Sequence, residues 1–154
     1  MFMILLTILI GLFLSLITVP LGYFSPEWLL LINIYWAIAI PGNNKLLLAF
    51  FSGILVDIMF GQIFGISSLL YVLLIYIVLT IYNSLRYMTV TQQMVVLLFF
   101  IIIKVHLFVW VNFMIGLTVE YQNLLISSFT TALMWPLTYY ILRYVRRKFR
   151  LSDN

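Results

Sequence analysis

Residues 45–65 read KLLLAFFSGILVDIMFGQIFG. The stretch predicts one helix, Lys45 to Phe60, with Gly61 and Gly65 bracketing a tight turn. Ala49, Gly53, Asp57 and Gly61 recur at every fourth position, and Gly65 continues the register beyond the turn. Residues i and i+4 share a helix face. The helix therefore carries one smooth face of small residues with a carboxylate set into it. In lipid such faces let helix backbones approach closely. Two uses are open: packing within the chain, or docking of a partner or a small polar ligand at the face or at Asp57.

The same apolar texture extends through the 154-residue chain, which is 66% hydrophobic and 8% charged with a mean hydropathy of +1.21. Soluble domains run closer to half apolar and a quarter charged, so an integral membrane protein is expected. Six helical spans at ~20 residues each would use about 120 residues and leave about 34 for loops and tails. That excludes an attached catalytic domain, a large ectodomain and a nucleotide-binding domain of ordinary size. Cysteine is absent, which excludes disulfides, thiolate nucleophiles and thiolate metal sites. The net charge of +4 is not a nucleic-acid signal. It comes mainly from Arg143, Arg146, Arg147, Lys148 and Arg150, which read as a topology anchor at an anionic cytosolic leaflet or as a docking site.

The expected segments are Phe2 to Val19, Trp28 to Ile40, Lys45 to Phe60, Ile66 to Tyr82, Met94 to Ile115 and Leu124 to Leu142. Pro20 and Gly22 end the first, and Pro41-Gly42-Asn43-Asn44 stops the second. The second is short, so it either crosses a thinned bilayer or is re-entrant. Pro136 is expected to kink the sixth. A cytosolic N-terminus puts Lys45, Arg86 and the basic tail, 143–154, on one side. Glu27 and Glu120 then fall opposite, as the positive-inside rule requires. Residues 1–154 form a single membrane domain in this reading.

Three ionisable residues fall inside expected spans: Asp57, Lys104 and His106. A charge at the bilayer centre costs about 2.5 to 3.5 kcal/mol on the lenient scale, so such groups face protein or pair. At ~1.5 Å per residue, Asp57 lies about 18 Å and Lys104 about 15 Å from their cytosolic helix starts. The geometry allows an Asp57–Lys104 ion pair within the bundle. His106 reads as a satisfied or snorkelling imidazole, with a proton relay as the sharper reading. One His and one Asp make no metal-ligand set, and no cofactor is expected. Trp28, Tyr23, Tyr82, Tyr87 and Tyr121 suit an aromatic belt. Tyr35-Trp36 and Trp135-Pro136 sit deeper.

The run Ser25-Pro26-Glu27-Trp28-Leu29-Leu30-Leu31, then Tyr35-Trp36 and Ala39-Ile40-Pro41, resembles the second segment of the MreD family of rod shape-determining proteins. Phe50-Phe51-Ser52-Gly53-Ile54-Leu55-Val56-Asp57, with Gly61 and Phe64-Gly65-Ile66, resembles that family's most characteristic motif. Tyr76 and Trp135-Pro136 ahead of a basic tail also fit. Lys104 and His106 match no functional motif of the family. The resemblance covers nearly the whole chain. It implies a bacterial inner-membrane protein that accompanies MreC, a bitopic protein with a large periplasmic part. The same system includes the actin-like MreB, the glycosyltransferase RodA and a class B penicillin-binding transpeptidase, and directs lateral peptidoglycan insertion. The implied all-α fold is similar to the six-helix substrate-binding subunits of energy-coupling-factor transporters.

Two functions follow. One is a non-enzymatic interaction protein holding an MreC-like helix through Gly53, Asp57, Gly61 and Gly65, with membrane lipid around it and self-association compatible. The other is a ligand-binding or transport subunit with a polar site at Asp57, Lys104 and His106. An intramembrane enzyme lacks its constellation, since neither G-x-S-x-G nor paired span aspartates occur.

Overall fold

A chain that is apolar on every helix face takes its segmentation from turn residues rather than from periodicity. The computed structural model describes residues 2–18, 22, 24–42 and 44–149. Among them are seven helices: α1 (Phe2–Thr18), α2 (Trp28–Ala39), α3 (Asn44–Phe60), α4 (Ile66–Tyr87), α5 (Val90–Met114), α6 (Tyr121–Leu133) and α7 (Trp135–Lys148). Val19, Pro20, Tyr23, Asn43 and Arg150 lie outside the described residues.

The architecture is all-α, and α2 is its axis. Every residue from Leu29 to Ala39 is buried, and α2 packs against α1, α3, α4 and α7. Its 12 residues span only about 18 Å at ~1.5 Å per residue, against a hydrocarbon layer of about 30 Å. At each end of α2 one of the backbone groups left unpaired by the helix is met by side chains from later helices. At the start, the Glu27 amide donates to Thr131 Oγ1 at 3.0 Å, and Ser127 Oγ donates to the Ser25 carbonyl at 2.8 Å. At the far end, the Ala39 carbonyl accepts from Arg146 at 3.2 Å and Arg86 at 3.4 Å.

Polar ties also run along the sides of α2. Trp36 Nε1 donates to Thr7 Oγ1 of α1 at 2.8 Å, and Asn33 donates to Ser52 of α3 at 2.9 Å. Tyr35, Trp36 and Trp135 are buried in the core. Gln93 links three helices: its amide nitrogen donates to the Leu85 carbonyl of α4, and its oxygen accepts from Trp135 Nε1 of α7.

Helices α3 and α4 form a hairpin. Gly61, at φ +62°, is the left-handed residue after α3, and the Gln62 amide reaches back to the Asp57 carbonyl at 2.9 Å. That is the Schellman closure, which favours glycine at this position. The hairpin closes tightly at Gly53, where an added Cβ would lie 2.3 Å from the Ser68 Cα.

Several boundaries differ from the sequence reading. Helix α4 runs on to Tyr87 rather than ending at Tyr82, and α6 begins at Tyr121 rather than Leu124. Helix α5 begins at Val90 rather than Met94, because Thr89 and Gln92 form a reciprocal capping box. The sixth segment is two helices bent by 42°. Pro136 lies in the first turn of α7, and its ring lacks the N–H that would continue α6. Helix α7 then runs on to Lys148, so residues 143–148 of the expected tail are helical.

By length and apolarity α4 and α5 qualify as membrane spans, and the bent α6–α7 pair qualifies as a third when taken together. Helices α1 and α2 are shorter apolar segments.

Gly53→Ala should lower the unfolding midpoint in detergent, since overpacking of this kind costs about 1–3 kcal/mol. Gly42→Ala, where nothing lies within 4 Å of the added carbon, should leave it unchanged. Thermal melts followed by circular dichroism check both.

Candidate functional site

Asp57 is fully buried near the end of α3. Its Oδ2 accepts from the Gly65 amide at 2.8 Å, and its Oδ1 accepts from the Ser67 amide at 3.2 Å. Both donors belong to the first turn of α4, whose cap residue, Gly65, has no side chain of its own. Asp57 thus caps α4 from the neighbouring helix, where a carboxylate also suits the positive end of the helix dipole. The small-residue face of α3 is turned into the chain, with Gly53 and Asp57 both against the start of α4.

The expected Asp57–Lys104 pair is not formed. Lys104 instead meets Glu27, with its Nζ 2.6 Å from both carboxylate oxygens. Counted from Val90, Lys104 is about 21 Å along α5 at ~1.5 Å per residue, which brings it level with the start of α2. Tyr71 of α4 donates its hydroxyl to Glu27 Oε2 at 3.2 Å, and its ring centroid lies 5.4 Å from the Lys104 ammonium. The pair is largely shielded, with side-chain exposures of 11% for Lys104 and 26% for Glu27.

This triad borders a cavity of about 180 Å³, with Ser15, Gln62, Ser67 and Ser127 also in its wall. Several wall hydroxyls already donate to protein acceptors: Ser15 to the Gly11 carbonyl, Ser67 to Gln62 Oε1 and Ser127 to the Ser25 carbonyl.

The alternative polar site of Asp57, Lys104 and His106 is not assembled. His106 is exposed on the outer side of α5, where its Nδ1 is 2.9 Å from the Ile102 carbonyl and its Nε2 is 2.7 Å from the Tyr121 hydroxyl. Lys104 borders the cavity, and Asp57 is engaged by backbone amides. Gly61 shapes the turn after α3. Of the basic cluster, Arg146 reaches Ala39 and Arg143 lies 5.8 Å from the Tyr139 ring centroid. Arg147 and Lys148 close α7.

Sequence reasoning missed Glu27 as a site residue, because a carboxylate just before a helix reads as a loop charge. The signal that locates its partner was present. Thr89-Val90-Thr91-Gln92 is a capping box, and taking it as the start of α5 moves Lys104 from mid-helix to the level of Glu27. Tyr71 gave no signal, being one aromatic among many.

A profile of the family described as rod shape-determining protein MreD matches residues 1–145. The curated rod shape-determining protein MreD of Haemophilus influenzae is 30% identical over 135 residues, covering 86% of this chain and 83% of that protein. No solved structure matches the chain.

Lys104→Met should destabilise the fold by roughly 1.5–3 kcal/mol, the range for hydrogen bonds to charged groups. Adding Glu27→Gln should then be milder than the sum of the two single losses, because the two residues share one interaction. Lys104→Met combined with Asp57→Asn removes unshared bonds and should combine closer to additively. Unfolding in one detergent at fixed pH measures the cycle.

Proposed function

The chain belongs to the MreD family of rod shape-determining proteins, and we propose that it is a non-enzymatic inner-membrane component of the cell-elongation machinery. In this reading it holds an MreC-like bitopic protein and helps direct lateral peptidoglycan synthesis, with MreB, RodA and a class B transpeptidase as indirect partners. The observation that carries the reading is the family match over residues 1–145. The apolar helical architecture agrees with it.

Six crossings belong to the same proposal: α1 to α5 singly, and the bent α6–α7 pair as one. So does the likeness to energy-coupling-factor substrate-binding subunits. Cytosolic N- and C-termini follow from charge. Arg86 and Arg146 meet at the end of α2, and Lys45 opens α3 beside it. Glu27 lies at the opposite end of α2. Gly53, Asp57, Gly61 and Gly65 would serve assembly by fixing the α3–α4 hairpin, since Gly53 and Asp57 lie against the start of α4 and Gly61 and Gly65 shape the turn between the helices.

A second reading, a small-molecule binding or transport subunit, is favoured by one observation: the cavity beside Glu27 and Lys104. A bound molecule in mass spectra of the purified protein would support it.

Co-expression with an MreC-like partner and affinity purification in mild detergent tests the first reading. Wild type should recover the partner. Gly53→Leu should lose it while remaining in the membrane fraction. Failure of wild type to recover the partner overturns the scaffold reading.

A further inference from the structure

Six helices meet around one small space at the Glu27 end of α2. The cavity of about 180 Å³ takes wall residues from each of α1 to α6 and from the turn between α3 and α4. Pockets for drug-sized molecules run to about 300–1,000 Å³. At ~30 Å³ per water this one has room for about six waters, which suits a single monosaccharide and is too small for a nucleotide.

The charges in the wall restrict what enters. Among its described residues only Glu27 and Lys104 are charged, and they are paired with each other. A cationic group would compete with Lys104 for the carboxylate. An anionic group would compete with Glu27 for the ammonium. Either would leave a shielded charge uncompensated, which is costly. The cavity therefore favours a molecule without formal charge that leaves the pair intact.

The hydrogen-bonding groups narrow the class further. Ser25 lines the cavity, and its hydroxyl has no partner among the described residues. Gln62 accepts from Ser67 through Oε1, while its amide nitrogen has no acceptor among the described residues. Ser15, Ser67 and Ser127 donate their protons to protein acceptors and keep oxygen lone pairs. Donors and acceptors are thus mixed around one space. A hydroxyl both donates and accepts, so a molecule carrying several can pair with either kind. Phe60, Phe108 and Leu124 add apolar wall for its C–H faces, the usual composition of a small-molecule site. We propose that this cavity binds a neutral polyol of monosaccharide size. The polyol is a free sugar or the sugar headgroup of a glycolipid. This inference rests on the second reading above, of a small-molecule binding subunit, and names the ligand class of that site.

Full-length protein is purified in a polyoxyethylene detergent, whose headgroup carries no sugar, and dialysed to equilibrium against radiolabelled glucose, galactose and mannose. Wild type should bind at least one of them saturably. The amino-sugar and uronate derivatives of the tightest binder, which add one charge to the same ring, should bind at least about tenfold more weakly. Ser25→Ala and Gln62→Leu should each weaken binding by a few-fold, as for loss of one hydrogen bond. Ser84→Ala removes an exposed hydroxyl near the other end of α4 and should stay within about twofold. A monoglycosyl diacylglycerol that displaces the label at least about tenfold better than the free sugar identifies the headgroup as ligand, and weaker displacement identifies the free sugar. Either outcome supports the site. Equal binding of the charged derivatives overturns it, as does wild-type affinity in both Ser25→Ala and Gln62→Leu. If Gln62→Leu unfolds, Ser25→Ala decides alone. Absence of saturable sugar binding also overturns it. If mass spectra of the purified protein then show another bound molecule, the ligand class fails and the small-molecule reading stands; if they show none, both fail.

Discussion

A 12-residue helix buried along its whole length, and too short to reach both surfaces of a bilayer, is the constraint on which this fold depends. Apolar surroundings cannot satisfy the backbone groups at its ends, and each such group left alone costs several kcal/mol in hydrocarbon. The chain brings side chains inward to meet them: Thr131 and Ser127 from α6 at one end, Arg86 and Arg146 from α4 and α7 at the other. The bend between α6 and α7 fits this arrangement. Residues before the break serve the start of α2, and a residue beyond it serves the end.

The same constraint accounts for how the helices are ordered around α2. Between helices in lipid there is little hydrophobic drive, so close packing and interhelical hydrogen bonds set the neighbours. Thr7 with Trp36, Asn33 with Ser52, and Glu27 with both Tyr71 and Lys104 tie α1, α3, α4 and α5 to α2 in turn. Measured values for such membrane hydrogen bonds are modest, about 0.6 kcal/mol on average. Their number and directionality therefore matter more here than any one of them. Gly53 is the counterpart in packing, because the α3–α4 approach leaves no space for a side chain.

Much of this was legible in the sequence. Proline and glycine positions gave the segments, the composition gave the solvent, and the residues around Gly53 and Asp57 carried the family resemblance. The four-residue spacing also located the tight helix contact, although it could not say which helix fills the contact. The pairing of Lys104 was misread for a physical reason. In an all-apolar stretch, depth is judged from the helix start, and a four-residue error there moves a charge by about 6 Å. That is enough to exchange Asp57 for Glu27 as the partner. Burial of α2 along its full length was not readable either, since lipid-facing and core-facing residues are both apolar in such a chain.

The two ends of α2 are chemically unlike, and the helix joins them rigidly. One end holds a carboxylate neutralised by Lys104 beside a hydroxyl-rich cavity; the other holds arginines gathered on a carbonyl. Sliding α2 by one turn, about 5.4 Å, would part Glu27 from Lys104 and Ala39 from Arg146 together. Contacts at the two ends are therefore linked through one element. The outward faces of α3, α4 and α5 are set by how α2 sits among them. In the same way, the assembly role proposed for Gly53 and Asp57 needs no direct contact between either residue and the partner.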